Sequence, residues 1–259
     1  MNMFKKILII SIALFSFAAN GSSLNQAQKD KLMTYLEKII PTPPSEFKES
    51  PIKGLFVVMY GAKILYVSPD GRFVFEDSPL IDLSDRSNHS DKIAAKVRKK
   101  MMASLKPESM VVFKPKNKTK HIVAIFTDID CPYCQRLHQE RHALLEQGIE
   151  IRYLLFPRTG KNTKSYQTAQ AVWCSKDRAK AMTEAKEIAA FNSIAHRSGG
   201  KIKPQVSAEK CDDAVDNQMK LLYEMNLQGA TPQIILQSGE VIRGYMPAAD
   251  LIKSITASK

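Results

Sequence analysis

Apolar positions recur at helical spacing at Leu32, Leu36 and Ile39, with Lys and Asp between them. This spacing predicts a helix from Leu24 to Ile40, stopped by Pro41, Pro43 and Pro44. Beyond the prolines the runs shorten. Leu55 to Tyr60 and Ile64 to Val67 are β-prone and meet at Gly61, and Ser68-Pro69-Asp70-Gly71 is a turn signal leading into Arg72 to Glu76. A helix-plus-sheet unit of this size buries a limited core, and its strands leave an edge that invites pairing with a second copy. Ile93, Val97, Met101 and Leu105 then follow one helical turn apart. They predict a helix from Ser90 to Leu105, capped by Ser90 and ended by Pro107. Its single narrow apolar stripe suits a helix lying between domains.

The remaining pattern alternates. Met110 to Phe113 is a short strand, and His121 to Thr127 is an apolar run of the kind found at the centre of a sheet. Cys131 to Gln147 reads as a helix stopped at Gly148, and Ile149 to Phe156 as a second strand, completing a β-α-β unit. A long helical stretch follows, from about Ser165 to Met225. Gln233 to Gln237 and Glu240 to Ile242 form a hairpin across Ser238-Gly239, and Ala248 to Thr256 is a closing helix. The expected organisation is an export segment at 1–19, an amino-terminal unit at 20–88, a linker helix at 89–107 and a second domain at 108–259 with a helical insert at about 160–225.

The export segment comes from the order of its residues. Lys5 and Lys6 precede the uncharged apolar run Ile7 to Phe17, and the small residues Ala18, Ala19 and Gly21 follow. That is the secretory signal pattern. An uncleaved membrane anchor is the alternative, although the run falls short of the roughly 20 apolar residues of a spanning helix. The net charge of the 259-residue chain is +12. Lys and Arg are spread along it, and the densest cluster, Lys96 to Lys100, sits in one predicted helix. A solvated basic face is therefore expected, and no nucleic-acid partner. Four cysteines are too few for a disulfide-dense scaffold.

Cys131-Pro132-Tyr133-Cys134 lies directly after a predicted strand, at the opening of a helix. Pro132 fits the first helical position, where its missing N–H costs nothing. Cys131 then takes the cap position, its sulfur at the positive end of the helix dipole, so its pKa should fall below that of a free cysteine. Cys134 lies one turn in and more buried. An accessible thiolate that attacks and a neighbouring thiol that resolves the mixed disulfide are what a redox pair needs. Two other readings stay open. One is zinc, with His138 and His142 continuing the helical spacing; the other is a plain structural disulfide. Gln135 stands where haem attachment needs His. Thiol exchange calls for neither cofactor nor metal.

From Phe126 to Cys134 the sequence resembles the periplasmic disulfide isomerases of the DsbC/DsbG type. The resemblance continues through Arg152 to Arg158, Ala171 to Asp177, Gly229-Ala230-Thr231-Pro232 and Gly244-Tyr245, and reaches the amino-terminal unit at Tyr66 to Gly71. It implies a small cystatin-like α+β dimerisation domain, a linker helix and an α/β thioredoxin-like domain with a helical insert. It implies a homodimer, a cis peptide bond at Thr231-Pro232, and a structural disulfide between Cys174 and Cys211. Cys131 and Cys134 would be catalytic, and Pro132, Tyr133, Thr231 and Pro232 would contact substrate. The implied activity is that of a protein disulfide isomerase or oxidoreductase acting on misfolded or oxidised exported proteins, with a DsbD-type membrane reductase as electron donor. Pro132 stands where the isomerase branch commonly has Gly. A dithiol oxidase, or a single-cysteine reductase and chaperone of the DsbG type, is the alternative.

Overall fold

The computed structural model describes residues 24–208, 210–227 and 229–258. The expected export segment lies outside the described residues. Helix α1 (Gln26–Glu37) opens with a reciprocal cap: the Asn25 side chain accepts from the Gln28 N–H, and the Gln28 side chain accepts from the Asn25 N–H, both at 2.9 Å. Strands β1 (Glu46–Glu49), β2 (Phe56–Tyr60), β3 (Lys63–Val67) and β4 (Val74–Phe75) form an antiparallel sheet in that order. Strand β1 was not expected, because Glu46-Phe47-Lys48-Glu49 carries one apolar residue among charges and reads as a loop.

Both faces of this sheet are covered, which explains why β2 and β3 are apolar at almost every position. Phe56, Val58, Leu65 and Val67 pack against Leu32 and Leu36 of α1. The alternate residues Val57, Met59, Ile64 and Tyr66 pack against Ile93 and Ala94. Those two belong to α2 (His89–Ser104), which follows a small hairpin of β5 (Ile81–Asp82) and β6 (Ser87–Asn88). The cap of α2 is Asn88, whose side chain accepts from the Asp91 N–H at 2.9 Å, and not Ser90. The Ser90 hydroxyl is committed elsewhere, 2.8 Å from the Tyr66 hydroxyl and accepting from the Leu80 N–H.

The predicted stripe of α2 divides between two cores. Ile93 and Val97 join the first sheet, and Met101 and Leu105 join the core of the second domain. Within the basic cluster Arg98 departs from the expected solvated face. It is 1% exposed and donates through Nε to the Gly239 carbonyl at 2.9 Å and through Nη2 to Asp91 at 2.6 Å. A Cβ on Gly239 would stand 1.9 Å from the Ala95 carbonyl oxygen, so only glycine allows this approach. A second tie runs from the Ala62 N–H to the Glu224 carbonyl at 2.9 Å.

The second domain comprises β7 (Val111–Phe113), β8 (His121–Thr127), α3 (Pro132–Gln139), α4 (Arg141–Glu146), β9 (Ile149–Leu155), α5 (Lys164–Cys174), α6 (Arg178–Ser198), α7 (Ala214–Glu224), β10 (Gln233–Ile235), β11 (Val241–Arg243) and α8 (Ala248–Ala257). Its sheet runs β11-β10-β8-β9-β7, with β8 and β9 parallel and the other pairs antiparallel. The helix expected from Cys131 to Gln147 is two helices that break at Glu140. The Glu140 carboxylate accepts from the Tyr245 hydroxyl and, at 2.7 Å, from the Ala248 N–H at the start of α8. It thus places a negative charge at a helix amino end. The long stretch from Ser165 to Met225 is three helices. Helix α6 ends at left-handed Gly199, and the chain leaves helical geometry through Gly200 and Pro204.

Candidate active site

Central strand β8 delivers the chain to the cap of α3. Cys131 has extended backbone (φ −75°, ψ 120°), Pro132 is the first helical residue, and the Gln135 N–H donates to the Cys131 carbonyl at 3.0 Å. Cys131 and Cys134 are both free thiols. Cys131 is only 2% exposed and Cys134 1%, so the accessible sulfur expected at the helix start is instead covered. The loop before β10 provides the cover: the Cys131 thiol donates to the Thr231 carbonyl at 3.3 Å. The Thr231-Pro232 bond is cis, and the Pro232 carbonyl is engaged by the Gly244 N–H at 2.8 Å.

The two sulfurs are pushed in opposite directions. The Cys134 thiol, as a hydrogen-bond donor, lowers Cys131 most, against a smaller rise from burial. Thr231 beside it, the first-turn N–H of Cys134 and the positive charge of Arg158 lower it further, to about 5. Burial raises Cys134, and its hydrogen bond to Cys131 raises it again. The expected asymmetry is present, but the neighbouring thiol contributes more to it than the helix end does.

Tyr133 points outward, 60% exposed, and its ring stacks on Tyr245 with centroids 6.2 Å apart and planes at 26°. The Arg136 guanidinium lies 4.6 Å from the Tyr245 ring centroid. Together these form an aromatic shelf beside the buried sulfur. The zinc reading meets an obstacle at His138. That ring is 2% exposed, with Nδ1 3.2 Å from the Tyr153 hydroxyl and Nε2 3.1 Å from the Thr183 hydroxyl. Burial, with nearby Lys186, lowers its pKa to about 2. Both ring nitrogens are occupied, and among the described residues no group of three or more His, Cys, Asp or Glu is placed to hold a metal ion.

Several polar residues beneath the pair were not singled out from the sequence. Asp128 is 2% exposed. Its Oδ2 accepts from Arg158 Nε at 3.0 Å, and its Oδ1 from Ser165 Oγ and the Asp130 N–H, each at 3.0 Å. Lys186 of α6 donates to Thr127 Oγ1 at 2.9 Å and to the Asp128 carbonyl at 3.2 Å. Lys186 had a readable signal, because it shares one helical face with Met182, Ala185 and Ala189, all buried. Farther off, Cys174 and Cys211 form a disulfide that ties the end of α5 to the segment before α7. Trp173 Nε1 donates to Asp212 at 2.8 Å beside it.

Residues 107–259 match the family described as thioredoxin-like domain, and residues 23–91 match the disulfide bond isomerase protein N-terminal domain. Three curated relatives carry the name thiol:disulfide interchange protein DsbC. The protein of Haemophilus influenzae is 33% identical, covering 95% of this chain and 96% of its own length. That of Dickeya dadantii is 28% identical over 99% and 97%. That of Escherichia coli K12 is 29% identical over 92% of each.

Proposed function

The chain belongs to the DsbC family of thiol:disulfide interchange proteins, and on that premise we propose that its Cys131–Cys134 pair reshuffles non-native disulfides in exported proteins. The observation that carries this reading is the pair of free thiols one helical turn apart at the start of α3, with Cys131 against the Thr231 carbonyl and the two sulfurs pushed in opposite directions in acidity. The Cys131 thiolate attacks a substrate disulfide, forming a mixed disulfide and expelling one substrate sulfur as a thiolate, which takes a proton from water. Cys134 then loses its proton and attacks Cys131. The Cys131–Cys134 bond forms, the bond to substrate breaks, and the substrate leaves reduced by two electrons. Alternatively a different thiolate of the substrate attacks the captured substrate sulfur: a new substrate disulfide forms, the bond to Cys131 breaks to return its thiolate, and the substrate leaves rearranged with no net electron transfer.

Because Cys131 lies under Thr231, an approaching segment must take over the Thr231 carbonyl that the thiol now occupies. An extended substrate strand can do this with a backbone N–H. Tyr133 and Pro232 flank that approach. The site residues of this reading are therefore Cys131 and Cys134 for chemistry, and Pro132, Tyr133, Thr231 and Pro232 for substrate. The compartment is the periplasm, reached by the segment at 1–19, and a DsbD-type membrane reductase returns the pair to its reduced state. The assembly is a homodimer through the amino-terminal sheet. Its β4 edge is short, with Phe73, Val74 and Phe75 all exposed.

The test is reactivation of a scrambled multi-disulfide substrate. Cys131→Ser should abolish it, and full reactivation by that variant would refute the reading. Pro132 favours a second reading, net oxidation or reduction of single cysteines. Titration of the couple against glutathione separates the two, since a strongly oxidising potential marks a disulfide donor.

A further inference from the structure

Lys186 is a cation in an expensive place. It is 2% exposed, on the face of α6 that turns into the core. Burying an ammonium is costly unless an anion and hydrogen bonds compensate, and burial lowers the Lys186 pKa. Its Nζ has two neutral acceptors, Thr127 Oγ1 and the Asp128 carbonyl. The Asp128 carboxylate is turned to Arg158, Ser165 and the Asp130 N–H instead. Among the described residues no carboxylate lies in ion-pair contact with Lys186.

The groups facing Lys186 come from two elements. From the β8–α3 loop they are Asp128 and Asp130, and from α3 they are Cys131, Cys134 and His138. His138 stays neutral, with both ring nitrogens engaged. Of the acids, Cys134 is the one Lys186 feels most, and Cys134 in turn is lowered by Lys186 against the rise that burial imposes. Asp128, Asp130 and the Cys131 thiolate act on Lys186 from a distance, and the Cys134 thiolate would be a further anion for it, one that exists only during the reaction.

We propose that Lys186 is a positioning residue for the resolving step, holding a fixed positive charge against which the Cys134 thiolate forms. This rests on the exchange reading above and assigns the step that ends each encounter. The Cys134 S–H proton passes to water, the Cys134 thiolate forms a bond to Cys131 Sγ, and the substrate sulfur leaves as a thiolate and is protonated. Lys186 changes neither its bonds nor its proton count. By making Cys134 easier to ionise it favours release over prolonged capture. The charge comes from the insert helix and not from the thioredoxin-like strands, so the insert sets how long a substrate is held.

An opposite charge a few Å away moves a thiol pKa by about 1–3 units. Loss of thiolate is partly offset by higher intrinsic nucleophilicity at higher pKa, which leaves a net slowing of roughly 5- to 50-fold.

The experiment mixes the reduced full chain with oxidised glutathione, quenches with acid and follows the Cys131–glutathione adduct by mass spectrometry across pH. Lys186→Gln keeps the N–H donors and removes the charge. It should lengthen the adduct lifetime by that factor at neutral pH and move the pH profile upward by about 1–3 units. Lys186→Met should do the same if Gln does not fold, and Lys186→Arg should restore most of the rate. Folded Gln or Met variants with unchanged lifetime and profile overturn the assignment. So does an Arg variant as slow as the neutral ones with the profile in place, which marks a packing role. If the wild-type chain forms no adduct at Cys131, the exchange reading itself fails; if it does and the variants match it, only the role of Lys186 fails.

Discussion

The two cysteine pairs differ in what surrounds them. Cys131 and Cys134 share one helix start, carry opposed shifts in acidity, and sit above a buried lysine and a buried aspartate. Cys174 and Cys211 join segments 37 residues apart, near an indole and a guanidinium. In the first pair neighbouring groups stabilise one sulfur as an anion and hold back the other. In the second the bond closes a long loop. Sulfur chemistry is common to both, and the environment separates an exchangeable pair from a staple.

The sharpest break of this comparison is to disable each pair in turn. Cys131→Ser should reduce exchange to the uncatalysed background while moving the denaturant midpoint less than loss of the second pair does. Cys174→Ala with Cys211→Ala should do the reverse. Loop-closure entropy for this span gives a loss of roughly 4 kcal/mol in chemical denaturation. The alkylation rate of Cys131 should stay the same, and a change in its pH midpoint, expected near 5, would show that the two pairs are not independent.

A smaller effect lies in the pH dependence of stability. The folded pKa of Cys131 is depressed, so between about 5 and about 8.5 the reduced unfolded chain holds a proton that the folded chain has shed. Stability of the reduced form therefore rises with pH through that window and is lost as pH falls towards 5. Cys134, raised by burial, reverses the trend above about 8.5. The oxidised form has neither thiol. Melting both forms across pH should show the gap moving in favour of the reduced form by on the order of 2 kcal/mol, discounted for screening. A gap flat with pH would contradict the opposed acidities. The smallest effect belongs to the staple. Arg178 lies 3.4 Å from the Trp173 ring centroid and donates to the Trp173 carbonyl, so Arg178→Ala should cost about 1 kcal/mol in denaturation without altering exchange.

Much of this arrangement was legible because its signals are local. Pro132 at the first helical position, the apolar run of β8 and the Ser238-Gly239 turn each follow from a few adjacent residues. The order of elements, and with it the placement of the cysteine pair, followed from those. What stayed hidden depends on distant partners. Strand β1 exists because Phe47 finds the first core, not because its sequence alternates strongly. The helix break at Glu140 follows from a carboxylate that reaches Tyr245 and Ala248. Arg98 reads as one more basic residue until Gly239 comes up against its helix. Burial of Cys131 likewise depends on Thr231, a hundred positions away.

Strand β10 has one further consequence. At one end it begins beside the loop that covers the Cys131 sulfur, and at the other it turns through Gly239 into the backbone of α2. It is three residues long. The cover over Cys131 and the contact with α2 therefore hang on one short strand. Even the single methyl group of an alanine at position 239 would pry α2 from the hairpin and be felt at the mouth of the site.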